Sequence, residues 1–428
     1  MSRVIESGTV KKALSAHAAI GLLAGALLYI VSLTGTVAVF YEELQRIEQP
    51  GAPEMAAIAP DAVQRGVEAV LASENGKPRT THLYVHLPTA DLPRATITTD
   101  TQAFHLDSTG AIAEPEEIAW SDFLVALHYT LNLPAIVGIT IVGILGVMLL
   151  TLALSGVIAH PRIFRDAFRL RARNDSGVGL ADWHNRLSVW TLPFSVAIAL
   201  TGAMIGLATV TAYAIASSSY DGDVEAVYAP VFGGEGKPDA APAPAPDVAA
   251  ALAYMARHYP DVSITYATLH DPMTRGQHVQ IVGEHERRLI FGEYYGFDSE
   301  GRFHETVGLA DGKLGQQAAA SAYQMHFGTF GGLPVKLAYF VLGAALTAIC
   351  ATGTYIWLGK RRRRGIDEPT LRALWHGVVI GTPVALVMTF VARIVFGNEA
   401  PFAIVFWSLI VMAEVIAVVA VRRQSATR

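Results

Sequence analysis

Six long apolar segments alternate with polar segments along this chain of 428 residues. Each apolar segment is long enough to cross the hydrocarbon core of a bilayer, about 30 Å thick, as an α-helix. The pattern therefore predicts an α-helical integral membrane protein with six transmembrane helices, at residues 11–41, 121–160, 181–215, 322–359, 371–397 and 400–423.

One polar segment follows the first predicted helix and another follows the third, at residues 42–120 and 216–321. Each contains a helical pattern, DAVQRGVEAVLA or DVAAALAYMARHYP, followed by strand-like stretches such as HLYVHL and ITYATL. Alternation with a period of two residues is typical of strands. Related turns, DSTG and DSEG, occur in both segments. We therefore predict two small α+β domains, with the stretch APAPAP (241–246) as a linker in the second.

Basic residues cluster at helix ends that would all lie on one side of a six-span membrane protein. They occur before the first helix, in loops at 161–180 and 360–370, and after the last helix. An excess of Lys and Arg marks the cytoplasmic side. The sequence thus predicts cytoplasmic N- and C-termini and extracytoplasmic α+β domains. It also predicts that the protein is located in a bacterial inner membrane, in contact with membrane lipid. The basic residues of the two loops are Arg162, Arg165, Arg169, Arg171, Arg173 and Lys360 to Arg364.

One histidine and one Thr-Gly pair recur at the same spacing in two predicted helices. Sixteen residues separate His17 from the pair at 34–35, and sixteen separate His184 from the pair at 201–202. Because the polar segments also resemble each other, helices 1–2 and 3–4 are predicted to be parallel repeats related by an axis along the membrane normal.

A second pair of histidines, His128 and His326, lies before the proline-containing starts of the second and fourth predicted helices. The repeat places His17 with His184 near the cytoplasmic side and His128 with His326 near the outer side. Two imidazoles on facing helices are a common way for a helical bundle to ligate haem iron. The sequence therefore predicts two haems b, with these four histidines as axial ligands of the iron.

Other interpretations of these residues remain open. A histidine near a helix end is commonly an interfacial residue that hydrogen-bonds backbone or water, and small residues at helical spacing commonly form packing faces. Zinc or copper is a weaker hypothesis than haem, because each pair supplies two ligands and no nearby cysteine or carboxylate completes a site.

Three further polar residues lie in the predicted membrane helices. His376 is an alternative axial ligand in place of His17 or His184, or a contact for a haem propionate. Glu414 and Arg393 are costly in a bilayer, and the sequence does not decide between pairing and a functional role. His160, at the end of the second helix, is predicted to be interfacial. Solvent exposure is the default for the histidines of the polar segments, with a transient metal site as a weaker alternative: His82, His86, His105, His258, His270, His278, His285 and His304.

Composition narrows the classes of function. The chain is 52% hydrophobic and 16% charged with a net charge of −5, which disfavours a nucleic-acid partner. A single cysteine, Cys350, excludes disulfides within the chain and cysteine-ligated iron–sulfur clusters. No dinucleotide, P-loop or flavin motif occurs, so the electron donor is predicted to be a separate cytoplasmic partner or a quinone.

Four short motifs carry a family resemblance: SLTG (32–35) after His17, ALTG (199–202) after His184, HYTLNLP with LSG (154–156), and MHFGTFGGLP with ATG (351–353). With these motifs, the chain resembles PepSY-associated transmembrane-helix proteins over nearly its whole length. That family includes iron-regulated inner-membrane proteins and ferric-siderophore reductases, and its polar domains are PepSY domains. The resemblance implies that two haems carry electrons across the membrane to a periplasmic ferric chelate.

The leading hypothesis is a dihaem reductase that passes electrons to a ferric siderophore or another ferric chelate and releases Fe(II) for uptake. One alternative is a non-enzymatic transporter or permease subunit for iron chelates. Another is a PepSY-based regulator of a protease. A colourless purified protein would favour the alternatives.

Overall fold

The computed structural model describes residues 7–74, 76–160, 164, 178–234, 238–285, 289, 292–307 and 312–426. The chain divides into two compact units. The helical unit is drawn from segments 1–41, 119–208 and 331–428, and the sheet unit from segments 42–118 and 209–330. The arginines predicted to form the basic loop after the second span lie outside the described residues.

The described helices and strands are numbered in chain order. The helices are α1 (Ser7–Ala38), α2 (Tyr41–Glu48), α3 (Pro60–Ser73), α4 (Ala119–Thr130), α5 (Ala135–Ala159), α6 (Val178–Trp190), α7 (Leu192–Ser219), α8 (Glu225–Phe232), α9 (Val248–His258), α10 (Leu314–Phe327), α11 (Gly332–Arg363), α12 (Pro369–Phe396) and α13 (Phe402–Ala426). The strands are β1 (His82–His86), β2 (Ala95–Thr98), β3 (Ala103–Leu106), β4 (Ile112–Pro115), β5 (Val262–His270), β6 (His278–His285), β7 (Glu293–Phe297) and β8 (Phe303–Val307).

Within the described residues, six helices are long and apolar enough to cross a membrane: α1, α5, α7, α11, α12 and α13. The protein is therefore a multi-pass membrane protein. The segment predicted as the second span contains two helices, because the chain turns between α4 and α5. Leu131 and Asn132 adopt positive φ angles of 56° and 54° there, and Pro134 stands immediately before α5. Proline disfavours the helical conformation of the residue that precedes it. For this reason α4 cannot continue smoothly into α5.

Small residues bring the helices of the helical unit close together. A Cβ atom added to Gly143 of α5 would lie 2.8 Å from the backbone carbon of Gly206 in α7. In the last helical pair, a Cβ on Gly381 of α12 would lie 3.1 Å from the side chain of Ala413 in α13. Close backbone approach of this kind supplies van der Waals packing where lipid removes the hydrophobic drive for helices to associate.

The short helix α4 is fixed to the last helical pair by hydrogen bonds. The indole Nε1 of Trp120 donates to Thr389 Oγ1 at 3.0 Å. The backbone N–H of Ala119 donates to Asn398 Oδ1, also at 3.0 Å. These contacts stabilise the helix that carries His128.

The sheet unit contains one eight-stranded sheet in the order β4-β3-β2-β1-β5-β6-β7-β8, with antiparallel neighbours throughout. Strands β1 to β4 come from the first polar segment and β5 to β8 from the second. The prediction of two separate small domains is thus corrected: the two segments share a single sheet through the β1–β5 pair. The physical reason is that an isolated four-stranded half would leave β1 or β5 as an open edge with unpaired backbone groups.

One face of the sheet is covered by α3 and α9. Its core contains Val67 of α3, Leu83 of β1, Met255 of α9 and Leu269 of β5. The alternation along β1 puts Leu83 and Val85 into this core, while His82, Tyr84 and His86 lie on the other face. That other face is partly covered by α8 and α10, around a cluster of Val282, Tyr294 and Ala320.

His105 on β3 is buried, which corrects the expectation that it is solvated. It is 1% exposed, and its ring nitrogens hydrogen-bond Thr96 Oγ1 at 3.0 Å and Gln49 Oε1 at 3.1 Å. Burial, with a contribution from Arg94, lowers the pKa of His105 from 6.5 to about 4.

This depressed pKa predicts that the sheet unit loses stability in acid. Below pH 6.5 the unfolded chain binds a proton at His105 while the folded chain does not, until the pH reaches about 4. The unfolding free energy should therefore fall by up to about 1.4 kcal/mol per pH unit across that window from this residue. The measurement is denaturant unfolding of the full chain, followed by circular dichroism at several pH values. A His105→Gln variant should show a shallower pH dependence, and identical slopes for the two proteins would refute the assignment.

Candidate functional site

His17 on α1 contacts α5 through its ring nitrogen Nδ1. This atom lies 3.1 Å from the carbonyl oxygen of Leu152 and 3.1 Å from Ser155 Oγ. A carbonyl oxygen only accepts hydrogen bonds, so Nδ1 carries the proton and the neutral ring has its lone pair on Nε2. The ring lies against Gly156, where an added Cβ would be 3.4 Å from the ring carbon Cε1.

His184 on α6 is held in the same way by α11. Its Nδ1 lies 2.9 Å from Thr352 Oγ1. The hydroxyl of Thr352 donates to the carbonyl oxygen of Ala348 at 2.8 Å, so it accepts from Nδ1–H. A Cβ added to Gly353 would lie 3.5 Å from the ring carbon of His184. This ring therefore also has its lone pair on Nε2.

The rings of His17 and His184 are neighbours in the helical unit. They lie within range of electrostatic interaction with each other, and His160 lies within that range of both. In the described residues, no group of three His, Cys, Asp or Glu side chains could hold a bare metal ion. The arrangement brings together two neutral imidazoles, as a cofactor with two axial positions requires. His160, which the sequence predicts to be interfacial, directly follows the last residue of α5.

His128 on α4 is held by α1. Its Nδ1 donates to the carbonyl oxygen of Val31 at 2.9 Å, which again places the lone pair of the neutral ring on Nε2. The ring lies directly over Gly35, where an added Cβ would be only 2.5 Å from Cε1. The glycine is therefore required for this position of the ring.

His326 lies in the last turn of α10, and its ring is 6.0 Å from that of Phe327. It belongs to the sheet unit, whereas His128 belongs to the helical unit. The pairing of His128 with His326 stays a prediction.

The short Ser/Thr-Gly motifs have a structural meaning that the sequence did not disclose. In three cases the glycine of the motif receives a histidine from another helix: Gly35 receives His128, Gly156 receives His17 and Gly353 receives His184. In two of these cases the adjacent hydroxyl also hydrogen-bonds the ring. A regular association of His with a hydroxyl-Gly pair is the signal in the sequence that could have identified the partners.

His376 on α12 is arranged differently. It is exposed, its Nδ1 donates to the carbonyl oxygen of Arg372 on its own helix at 2.9 Å, and its ring packs edge-on against Tyr355 at 5.0 Å. Tyr355 lies on α11, the helix that also holds the ring of His184 through Thr352. Its role as a substitute ligand stays a prediction.

The geometry of these histidines fits haem ligation. A histidine that ligates a metal usually donates its other ring N–H to a carbonyl or another acceptor, which fixes its tautomer and orientation. His17, His128 and His184 all have Nδ1–H engaged in this way and present Nε2 as the basic atom.

Comparison with known proteins gives two matches. A family model described as the PepSY-associated TM region matches residues 14–360. An uncharacterized protein of Pseudomonas aeruginosa is 26% identical over 268 residues, which are 56% of this chain and 64% of that protein. The chain thus spans about 64% of the length of this relative.

Proposed function

The chain belongs to the family of proteins with a PepSY-associated transmembrane region, and from that premise we propose that it is a dihaem reductase of ferric chelates. His17 and His184 hold one haem b, and His128 and His326 hold the other. Bound haem supplies one-electron transfer between its ferric and ferrous states. The internal repeat of helices 1–2 and 3–4 is the basis for assigning one haem to each pair.

The single observation that carries this proposal is the shared tautomer of three histidines. In each, Nδ1–H is held by an acceptor on a neighbouring helix, so Nε2 has the lone pair that haem iron needs. Interfacial histidines would not be expected to share one tautomer, yet all three of these rings do, and each packs against a glycine. The neighbouring helices orient the rings through these hydrogen bonds.

Electrons pass from the cytoplasmic side of the inner membrane to the other side, where a ferric siderophore or a similar chelate accepts them. The electron donor is a quinol of the membrane quinone pool or a separate cytoplasmic protein. One electron converts chelated Fe(III) to Fe(II), and the chelator is released unchanged. Hard oxygen donors hold Fe(III) far more tightly than Fe(II), so reduction alone frees the metal for uptake.

The test is stopped-flow reoxidation of the dithionite-reduced, detergent-purified protein by a panel of ferric chelates, with a ferrous-specific trap present. We expect ferric chelates to reoxidise the protein faster than buffer alone, with one Fe(II) trapped per electron. A His128→Leu variant should lose this reaction, whereas His304→Gln, at an exposed position on β8, should keep it.

Other outcomes would replace the proposal. Reoxidation by a quinone but by no ferric chelate would sink the assignment of the substrate. Flux of an intact iron chelate into proteoliposomes without a reductant would indicate a transporter. A colourless protein that binds a protease would indicate a regulator.

A further inference from the structure

His376 places a polar ring on the exposed side of a membrane-spanning helix. α12 contains 28 residues from Pro369 onward and is about 42 Å long, whereas the hydrocarbon core of a bilayer is about 30 Å thick. His376, two turns after the start of α12, therefore lies near the boundary of that core. Ile380, Val384 and Val387 follow it along the same exposed face of the helix. An ionisable side chain that meets lipid is costly, which indicates a functional partner.

The hydrogen bond of His376 defines what its other nitrogen offers. Nδ1 donates to the carbonyl oxygen of Arg372 at 2.9 Å, so Nε2 carries the lone pair of the neutral ring. A partner that reaches Nε2 from the membrane must therefore donate a hydrogen bond. Lipid tails have no polar group, and a phosphate ester only accepts. A quinol fits, because it is a lipid-soluble ring with two hydroxyl donors.

An aromatic cluster of Tyr29, Tyr355 and Trp375 packs beside His376. The ring of Tyr355 on α11 lies edge-on to that of His376 at 5.0 Å and is 6.3 Å from that of Trp375. The indole Nε1 of Trp375 donates to the carbonyl oxygen of Ala351 at 3.0 Å. On its other side Trp375 packs edge-on against Tyr29 of α1 at 6.5 Å. Aromatic side chains fixed in this way suit the packing of another planar ring.

The two helices that support this aromatic cluster also belong to the haem assigned to His17 and His184. On α11, Tyr355 stands one turn, about 5 Å, after Thr352, whose hydroxyl accepts from the ring of His184. On α1, Gly25 stands two turns after His17. A Cβ added to Gly25 would lie 3.5 Å from the indole ring of the cluster. Electrons from a ring bound at His376 therefore have a short path to that haem.

We propose that His376 and Tyr355 bind a membrane quinol, which is the electron donor of this protein; the inference rests on the proposed dihaem function. Nε2 of His376 accepts a hydrogen bond from one quinol hydroxyl and then takes its proton. The ring of Tyr355 packs against the quinol and orients it. In the reaction the quinol loses two electrons and two protons and becomes a quinone. One electron passes to each of the two ferric haem irons, and both protons leave to water.

The test measures both reduction by quinols and quinone binding, with the full-length protein in detergent. Stopped-flow absorbance follows haem reduction by a short-chain ubiquinol and by a short-chain menaquinol. A photoreactive azidoquinone, with its cross-linked peptides identified by mass spectrometry, reports binding whether or not haem is bound. The key variant is His376→Leu, which is expected to fold because the side chain is exposed. His376→Gln keeps a hydrogen-bond acceptor. The matched control is Ile394→Ala, at a position of α12 that is 70% exposed.

At least one quinol should reduce the native protein, and His376→Leu should lower that rate by about 100-fold, because a positioned proton acceptor is lost. Dithionite should still reduce both haems of this variant. His376→Gln should retain part of the rate, and Ile394→Ala should behave as the native chain does. The azidoquinone should label α11 or α12 in the native protein but not in His376→Leu.

Native rates and native labelling in His376→Leu would overturn the site. The same holds if the native protein is neither reduced by a quinol nor labelled, and an unchanged haem content would then leave the dihaem proposal standing. Loss of haem from His376→Leu would also overturn the site, since His376 would be an iron ligand. A colourless protein whose labelling still depends on His376 would support quinone binding here and refute the dihaem proposal.

Discussion

A His184→Ala variant, purified from haem-replete cells, is expected to contain about half the haem of the native protein. The substitution removes one axial ligand of the haem assigned to His17 and His184, and it also frees Thr352, whose hydroxyl accepts from the ring. The haem assigned to His128 is held by other helices, so its absorption spectrum and reduction should be unchanged. Haem content and the reduced-minus-oxidised spectrum measure both expectations.

The converse variant, His326→Ala, should remove the other half of the haem. His376→Ala is the control, because the ring of His376 is exposed and bonded within its own helix. Loss of all haem from either single variant, with the protein still folded, would contradict the assignment of one haem to each pair. If His376→Ala removes one haem while His17→Ala removes none, His376 is the ligand instead of His17, and the dihaem hypothesis survives.

A Gly35→Ala variant is expected to lose the haem assigned to His128 without any change to a ligand. The added Cβ would be 2.5 Å from Cε1 and 2.8 Å from Nδ1 of His128. Because the ring is held by the carbonyl oxygen of Val31, it cannot move aside without breaking that hydrogen bond. Loss of a supporting contact of this kind typically weakens binding of a metal centre by about 10- to 100-fold.

Gly353→Ala provides a matched control for this substitution. Its Cβ would lie 3.5 Å from the ring of His184, which is an ordinary van der Waals contact. Both variants exchange glycine for alanine within a hydroxyl-Gly motif on a membrane helix. Gly353→Ala should retain both haems, while Gly35→Ala retains one. Equal haem retention in the two variants would show that the close contact at Gly35 does not position His128.

The six membrane-spanning helices could be predicted from the sequence because the length of an apolar run follows directly from the thickness of a bilayer. The histidine ligands could also be proposed, since His17 and His184 recur at one spacing. Their acceptors could not be identified. The contact of His17 Nδ1 with Leu152 depends on how α1 and α5 are rotated about their axes relative to each other. The sequence periodicity of a single helix does not determine that rotation.

The shared sheet was also beyond the sequence. His82 and His270 are 188 residues apart in the sequence and become neighbours only because β1 pairs with β5. Strand pairing across such a distance is decided by the joint burial of two faces, not by local propensity. The exposure of His105 was predicted wrongly for a similar reason, because its two hydrogen-bond partners come from β2 and from the chain after α2.

The haem content of the native protein tests the central claim most directly. The full-length chain is purified in detergent from haem-replete cells, and its haem is quantified by pyridine haemochrome against protein concentration measured by amino-acid analysis. We expect two haems b per chain, both reduced by dithionite with spectra of six-coordinate bis-histidine iron. A folded preparation with no haem would contradict the dihaem proposal.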